Sequence, residues 1–368
     1  MSKIAEVRTT KRKIPLHYNQ RMGSGELSAY TENVFVRIET TDGLVGYGEA
    51  GPWAIFCAES PTSIVASIEE ELAPLIVGME PHQWRPMRLA IDRAFLGRDY
   101  AKSAIEMAIF DLIGKQFDLP LHDVLGGAVR DCIKLSYSVS DQTINTELEK
   151  IGSLVEKGYA IFKVKSGILP PEGDAERLLA IRRSFPEIEI RLDFNEQGSV
   201  QKLSKLLPAI REIGASVIEQ PFPAGDVNSL VWFSHHFDGI LMADESCRNQ
   251  KDLVAIAQDH LFQALSLKIH KMGGISKTLD LYSAASTHGL KGYCGGTSDT
   301  GLATYAVIEL CLCLPQLLEG CDLYFPLEIL ATEITEPLIK VHEGAIWPTN
   351  LSGIGVNIPD EWFYESDS

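Results

Sequence analysis

Short apolar runs dominate the chain from residue 134 onward, and polar residues interrupt them at a recurring place. The runs "KLSYSVS", "YAIFKVKSG", "IEIRLDFNE", "SVIEQPF", "ILMADES", "ALSLKIHK", "LKGYCGG" and "CDLYFPL" read as strands, and all but the last lead into helical patterns. Lys165 to Asp193 is 28 positions, Asp193 to Glu219 is 26, Glu219 to Asp244 is 25 and Asp244 to Lys268 is 24. Each interval is the length of a strand, a helix and two loops. An open doubly wound sheet also alternates in this way, but no Gly-x-Gly-x-x-Gly follows the first strand. The polar residues also gather at the C-terminal strand ends, where a closed barrel assembles its site. With the eighth unit degenerate, the pattern predicts an α/β fold, a (β/α)7β-type TIM barrel over residues 131–328.

The first 130 residues follow another grammar. "NVFVRIET" and "LVGYGEA" flank the turn signal Thr41-Asp42-Gly43, which predicts an antiparallel hairpin. After Gly51-Pro52 the pattern turns helical, with Ser60-Pro61 as N-cap and first helical residue. Ile105, Ala108, Ile109 and Leu112 share a helix face. Residues 1–130 therefore read as an α+β unit. Residues 329–368 hold a pair of short strands and a Gly-rich tail, expected to pack back on that unit.

Composition narrows the function. The 368 residues are 45% hydrophobic and 23% charged, with a formal net charge of −17, which disfavours nucleic acid or an anionic membrane surface as partner. Seven scattered cysteines without zinc-type pairing fit a reducing compartment, and Cys311 and Cys313 read as packing residues. No apolar signal core follows the basic N-terminus and no charge-free window reaches spanning length. The expectation is a cytoplasmic protein.

The strand ends present, in order, Lys163 and Lys165, Asp193 with Asn195, Glu219, Asp244 with Glu245, and Lys268. Any one acid could simply cap the next helix. Three in consecutive units would repel at one barrel mouth unless a cation sat among them, and an oxygen donor set without His or Cys points to Mg²⁺, with Mn²⁺ as a substitute. Lys163 and Lys165 share a strand face, and Lys268, four strands on, faces them across the mouth. An ammonium beside its twin and a dication is expected to have a lowered pKa, which makes it available as a base. Two such bases can take a proton from one side of a carbon and return it on the other, while a metal polarises the substrate carboxylate and stabilises the enediolate.

These residues resemble the enolase superfamily, and within it the mandelate racemase/muconate lactonizing enzyme family and its muconate cycloisomerase-like subgroup. The resemblance spans the chain through "DGLVGYGEA", "KVKSG", "RLDFNE", "IEQPF", "ADES" and "LKIHKMGG". It implies that residues 1–130 form a lid over the barrel, completed by the C-terminal segment. Asp193, Glu219 and Asp244 would hold Mg²⁺, and Lys165 and Lys268 would be the acid/base pair. Lys163 would tune Lys165 and stabilise a substrate carboxylate, with Asn195 and Glu245 supporting the ligands. Loops near Tyr18 to Met22 and Trp53 to Cys57 would touch substrate through Tyr18, Trp53 and Phe56, joined from the barrel by Thr297, Asp299 and Tyr324. Homo-oligomers are common in the family. The implied activity is a Mg²⁺-dependent isomerase that takes an α-proton from a small carboxylate, like muconate cycloisomerase. Racemisation or epimerisation of an amino acid or betaine, and dehydration of a hydroxy acid such as hydroxyproline, are the alternatives.

Two departures bear on that choice. Dipeptide epimerases carry Asp-x-Asp on the eighth strand, where this chain has Asp322 and then Tyr324. Cycloisomerases place a Glu three residues past the Thr of "GGT", where this chain has Thr300 beside Asp299. A catalytically silent barrel would show a lost ligand or lysine, and none is lost.

Overall fold

The computed structural model describes residues 2–17, 19–22, 25–27, 29–54, 56–139 and 143–364. Its N-terminal sheet is antiparallel, with β1 (Ile4–Pro15) and β3 (Val45–Ala50) on either side of β2 (Tyr30–Thr40). The β2–β3 hairpin turns at Gly43, whose φ of 85° is cheap only for glycine. Ser60 caps the first helix, exchanging hydrogen bonds with Ser63, and Pro61 opens it.

Two longer helices follow, α1 (Trp84–Ala94) and α2 (Asp99–Phe117). The spacing in the sequence suggests one apolar face for α2, yet every residue from Tyr100 to Gly114 is buried. The reason is its position between two partners. On one side β3 lies against it through Gly46 and Gly48, and on the other Glu106 accepts from Ser276 N (2.9 Å) and Ser276 Oγ (2.5 Å). A helix with neighbours all round needs no polar face.

The barrel strands are β4 (Ser136–Val139), β5 (Ile161–Lys165), β6 (Glu189–Asp193), β7 (Val217–Glu219), β8 (Ile240–Ala243), β9 (Ala264–Leu267) and β10 (Lys291–Cys294). They form one parallel sheet in chain order. Helices α3 (Ile144–Glu156), α4 (Pro171–Ser184), α5 (Val200–Glu212), α6 (Val227–Ser234), α7 (Gln250–Asp259), α8 (Ile275–Thr287) and α9 (Gly301–Leu312) alternate with them. The expected eighth strand over "CDLYFPL" does not form. Cys321 bridges Leu135 and Asp322 bridges Gly295, so two residues close the gap between β10 and β4, and Phe325–Glu328 turns helical. Pro326 lies within that stretch and cannot donate to a ladder.

Inside the barrel, Val217, Met242, Ala264, Tyr293 and Leu318 form a separate apolar cluster on β7 to β10 and the closing segment. The C-terminal tail touches the N-terminal sheet: Trp362 packs edge-on to Phe35 at 5.4 Å, and Arg37 donates to Asp360 at 2.6 Å. No helix among the described residues is long and apolar enough to cross a membrane.

The contact of β3 with α2 can be tested at Gly48, where a Cβ would stand 2.0 Å from the Ala104 carbonyl oxygen. Gly48→Ala should cost about 3 kcal/mol in urea unfolding, the upper part of the usual overpacking range. Unchanged stability would mean that strand and helix are not in this contact.

Candidate active site

Period-two alternation decides which side chains enter the barrel. On β5 it turns Lys163 and Lys165 to one face, and on β6 Arg191 and Asp193. Parallel register then sets Lys165 beside Asp193 and Asp193 beside Glu219. Asp244 and Lys268 each stand one residue past a strand end.

Each lysine is drawn to a carboxylate. Lys165 donates to Asp193 Oδ2 at 2.5 Å and to Asn195 Oδ1 at 2.9 Å. Lys163 donates to Glu219 Oε2 at 2.6 Å, lies 3.8 Å from Asp193, and forms a tight ion pair with Asp322. Lys268 donates to Asp244 Oδ2 at 2.6 Å, and its ammonium sits 5.3 Å above the Phe56 ring. Asn195 reaches from Lys165 to Glu245, donating to Oε1 at 3.2 Å. Asn195 and Gln220 follow two of the acids with φ of 40° and 37°, left-handed conformations that non-glycine residues hold only under constraint from their surroundings.

Among the protein's own charges the acids act strongly on two of the lysines. Burial would push the Lys163 ammonium down, but Asp322, Glu219, Tyr293 and Asp193 together hold its pKa well above the usual lysine value. Lys268 is likewise raised against burial, chiefly by Asp244, Glu219 and Glu245. The expected lowering belongs to a lysine with a dication beside it, whereas this balance is that of the side chains alone. Five carboxylates (Asp193, Glu219, Asp244, Glu245, Asp322) stand among four ammonium groups (Lys163, Lys165, Lys268, Lys271) at the barrel mouth.

The surplus acid is visible at Glu245. Burial first, then Asp244 and Asp193, push its carboxyl up to about 8, and its buried Oε2 has no hydrogen-bond partner. Among the described residues, no three acid, imidazole or thiol side chains converge as they stand into a metal-binding group. The lysines explain why, since Asp193, Glu219 and Asp244 are each turned toward an ammonium. The donor set itself suits a hard dication. Asp193, Glu219 and Asp244 are buried oxygen donors on consecutive units, and Glu245 leaves a further buried oxygen without a partner at the same strand ends.

Trp53, Phe56, Thr297 and Tyr324 line a cavity of about 50 Å³ together with Lys165 and Lys268. Asp299 does not join them. It is 2% exposed and folded under the loop, where its carboxylate accepts from Thr297 N (3.1 Å) and Thr297 Oγ1 (3.0 Å) and lies 3.3 Å from His270 Nε2. Burial would raise its pKa, but His270 and these donors hold it below the usual value. Tyr18 lies outside the described residues.

Sequence reasoning passed over three residues. Lys271 donates to Asp244 Oδ1 (2.6 Å), Asp244 O (2.8 Å) and Ser266 O (2.9 Å), which fully commits its ammonium and holds Asp244 from behind. Gln220 Oε1 accepts from Asp244 N (3.1 Å) and Ser246 N (3.0 Å), tying the end of β7 to that of β8. Asp322, noted only as an epimerase remnant, is the counter-ion of Lys163 and also accepts from Ser136 and, at 3.2 Å, from Ser138. The only signal for the first two was adjacency, since Lys271 lies one helical turn past Lys268 and Gln220 follows Glu219.

The chain has known relatives. Residues 4–126 match the family described as mandelate racemase/muconate lactonizing enzyme, N-terminal domain, and residues 147–362 match the enolase C-terminal domain-like family. A chloromuconate cycloisomerase from Pseudomonas sp. (strain P51) is 30% identical over 323 residues, 86% of each chain. The crystal structure of 2-chloromuconate cycloisomerase from Rhodococcus opacus 1CP matches 99% of this chain and 100% of its own, with a TM-score of 0.92 at 27% identity. A dipeptide epimerase from Enterococcus faecalis V583, crystallised with Mg and the dipeptide L-Leu-L-Tyr, matches 96% of this chain and 99% of its own, with a TM-score of 0.90 at 26% identity.

The ion pairing can be tested without a substrate. Lys163→Met leaves Asp322 and Glu219 facing each other without their ammonium and should cost about 3–5 kcal/mol of stability. Adding Asp322→Leu should restore part of the loss, read as the coupling term of a double-mutant cycle. A neutral Lys163→Met would contradict the pairing.

Proposed function

Because the chain belongs to the mandelate racemase/muconate lactonizing enzyme family and is an enolase-superfamily isomerase, we propose that it abstracts the α-proton of a small carboxylate in a Mg²⁺-dependent isomerisation of the muconate cycloisomerase type. The observation that carries this reading is the pair Lys165 and Lys268, which line one cavity from β5 and from the end of β9. The cycloisomerase relatives and the Mg of the E. faecalis epimerase support it.

Asp193, Glu219 and Asp244 would hold the ion, with Mn²⁺ as a substitute. Bound there, it supplies positive charge that polarises the substrate carboxylate and makes the α-proton more acidic. Lys165, steadied by Asn195, would take the proton, leaving an enediolate, and Lys268 on the opposite wall would protonate or shield the other face. Lys163 keeps its charge under the control of Asp322 and Glu219 and would meet the substrate carboxylate as a fixed cation. Trp53 and Phe56, edge to face at 5.3 Å, would cover the cavity and exclude water.

A racemase or epimerase is the second reading. The lysines on two sides favour it, since inversion needs a base on each face. The dipeptide version finds less support, because Asp322 is committed to Lys163 and Tyr324 packs at a tilt against Tyr137, with ring centres 4.7 Å apart.

Incubation with a library of carboxylic acids in D₂O and Mg²⁺ should reveal α-deuterium wash-in, lost with a chelator and restored by Mg²⁺. Lactone formation marks a cycloisomerase, and exchange with loss of optical rotation a racemase. Lys165→Ala should slow turnover about 10²–10⁴-fold, the usual worth of a positioned base, and Lys268→Ala should do the same for a racemase. Full activity in both variants, or no exchange on any acid, would sink the proposal.

A further inference from the structure

His270 is a buried imidazole that the proposed chemistry does not use. It is 1% exposed and lies in the helical turn Ile269–Met272, two residues past Lys268. Its Nδ1 is 3.1 Å from Ser103 Oγ on α2, and its ring stacks on Tyr100 of the same helix with centres 5.2 Å apart. On the other side Nε2 lies 3.3 Å from Asp299 Oδ1 and has no aligned hydrogen-bond partner among the described residues. A buried ring nitrogen in that state is costly, and the carboxylate beside it is what offsets the cost.

Helix α2 grips this turn at more than one point. Asp99, Ser103 and Glu106 share a helix face. A Cβ on Gly273 would stand 3.0 Å from Asp99 Oδ1, and one on Gly274 would stand 2.1 Å from Glu106 Oε2. Turn and helix therefore leave no space between them, and Lys268 heads the turn as its N-cap residue.

Asp299 carries the connection onward. Its carboxylate accepts from Thr297 N and Thr297 Oγ1, and the same hydroxyl lies 3.1 Å from Gly51 O, which also accepts from Ser298 Oγ at 3.0 Å. Gly51 opens the segment that presents Trp53 two residues later. A relay thus leaves the lid at Ser103, crosses the barrel loops through His270, Asp299 and Thr297, and returns to the lid at Gly51. Lys268, Thr297 and Trp53, which lie on it or two residues from it, all line the cavity.

We propose that His270 and Asp299 are a positioning pair that fixes Lys268, Thr297 and the Trp53 segment relative to one another, so that the seat of the lid and the place of the lysine are set together. The role in turnover rests on the reading of Lys268 as an acid/base group. Neither member of the pair lines the cavity, so each acts through the residues it holds.

Two variants separate the arms of the imidazole. His270→Asn keeps a polar atom near the Nδ1 position for Ser103 and loses the reach to Asp299, whereas His270→Gln keeps that reach. Hydrogen exchange on the full chain without substrate reads the amides of Phe56 and Cys57, bonded to Trp53 O, and of Met272, bonded to Lys268 O. In His270→Asn all three should exchange at least about tenfold faster while α5 keeps its wild-type rate, and His270→Gln should recover part of the difference. Wild-type rates at all three amides, or an acceleration shared equally by α5, would overturn the pairing. In the deuterium wash-in assay His270→Asn should lower kcat about 10- to 100-fold and move KM less than about threefold, the mark of a misplaced catalytic group. An unchanged kcat in an active enzyme would overturn the proposal. A wild-type chain without wash-in would sink the assigned reaction instead, and the exchange rates would then decide the pairing by themselves.

Discussion

Everything at the barrel mouth answers to one constraint, the confinement of five carboxylates and four ammonium groups above an apolar layer. Two unit charges 4 Å apart interact by about 1 kcal/mol in water and by several times more near a protein surface, so unpaired acids at this density would drive the strand ends apart. The structure responds with geometry. Asp244 has an ammonium on each oxygen, Lys268 on one and Lys271 on the other. The segment that replaces an eighth strand contributes Asp322 to Lys163 while its backbone closes the barrel. Closure and charge balance are therefore the same act.

The lid is joined to the barrel by the same chemistry. Glu49, fully buried on β3, accepts from Thr300 N (2.8 Å), Thr300 Oγ1 (2.6 Å) and Ala303 N (3.0 Å) at the start of α9. Glu106 does the equivalent for Ser276 at the start of α8. Two barrel helices thus have their free amide groups satisfied by carboxylates from the N-terminal unit. The loops that lead into these helices carry Lys268 and Thr297. Where the lid sits therefore bears directly on where these cavity residues stand.

The barrel strands were legible in the sequence because a strand buried on both faces is an apolar run, and a site at its end is a polar residue at a fixed phase. Lys165, Asp193, Glu219, Asp244 and Lys268 could be named on that ground. The phase says nothing of direction beyond the strand end, and Asp299 shows the limit. It follows the same strand as Thr297 and has the residue type of a ligand, but the loop turns it inward to brace Thr297. The burial of α2 on all sides was hidden for a related reason, since a helix pattern records apolar positions and not how many partners surround them. A list of charges has no distances either. Only the geometry shows each ammonium within hydrogen-bond reach of a carboxylate.

Thr300 carries the most information about specificity. Its amide and hydroxyl both donate to the buried Glu49, so a glutamate at this position, as in the cycloisomerase pattern, would set two buried carboxylates against each other. The loop after β10 is therefore spent on docking the lid and adds no acid to the cavity. Asp299 is turned away and Asp322 is matched by Lys163, so beyond Lys268 the groups added to the cavity after β9 are neutral: Gly295, Gly296, the Thr297 hydroxyl and the ring of Tyr324. Trp53 and Phe56 extend that neutral surface from the lid. The uncharged surface on this side consists of ring faces and one hydroxyl, groups that distinguish partners by shape more than by charge.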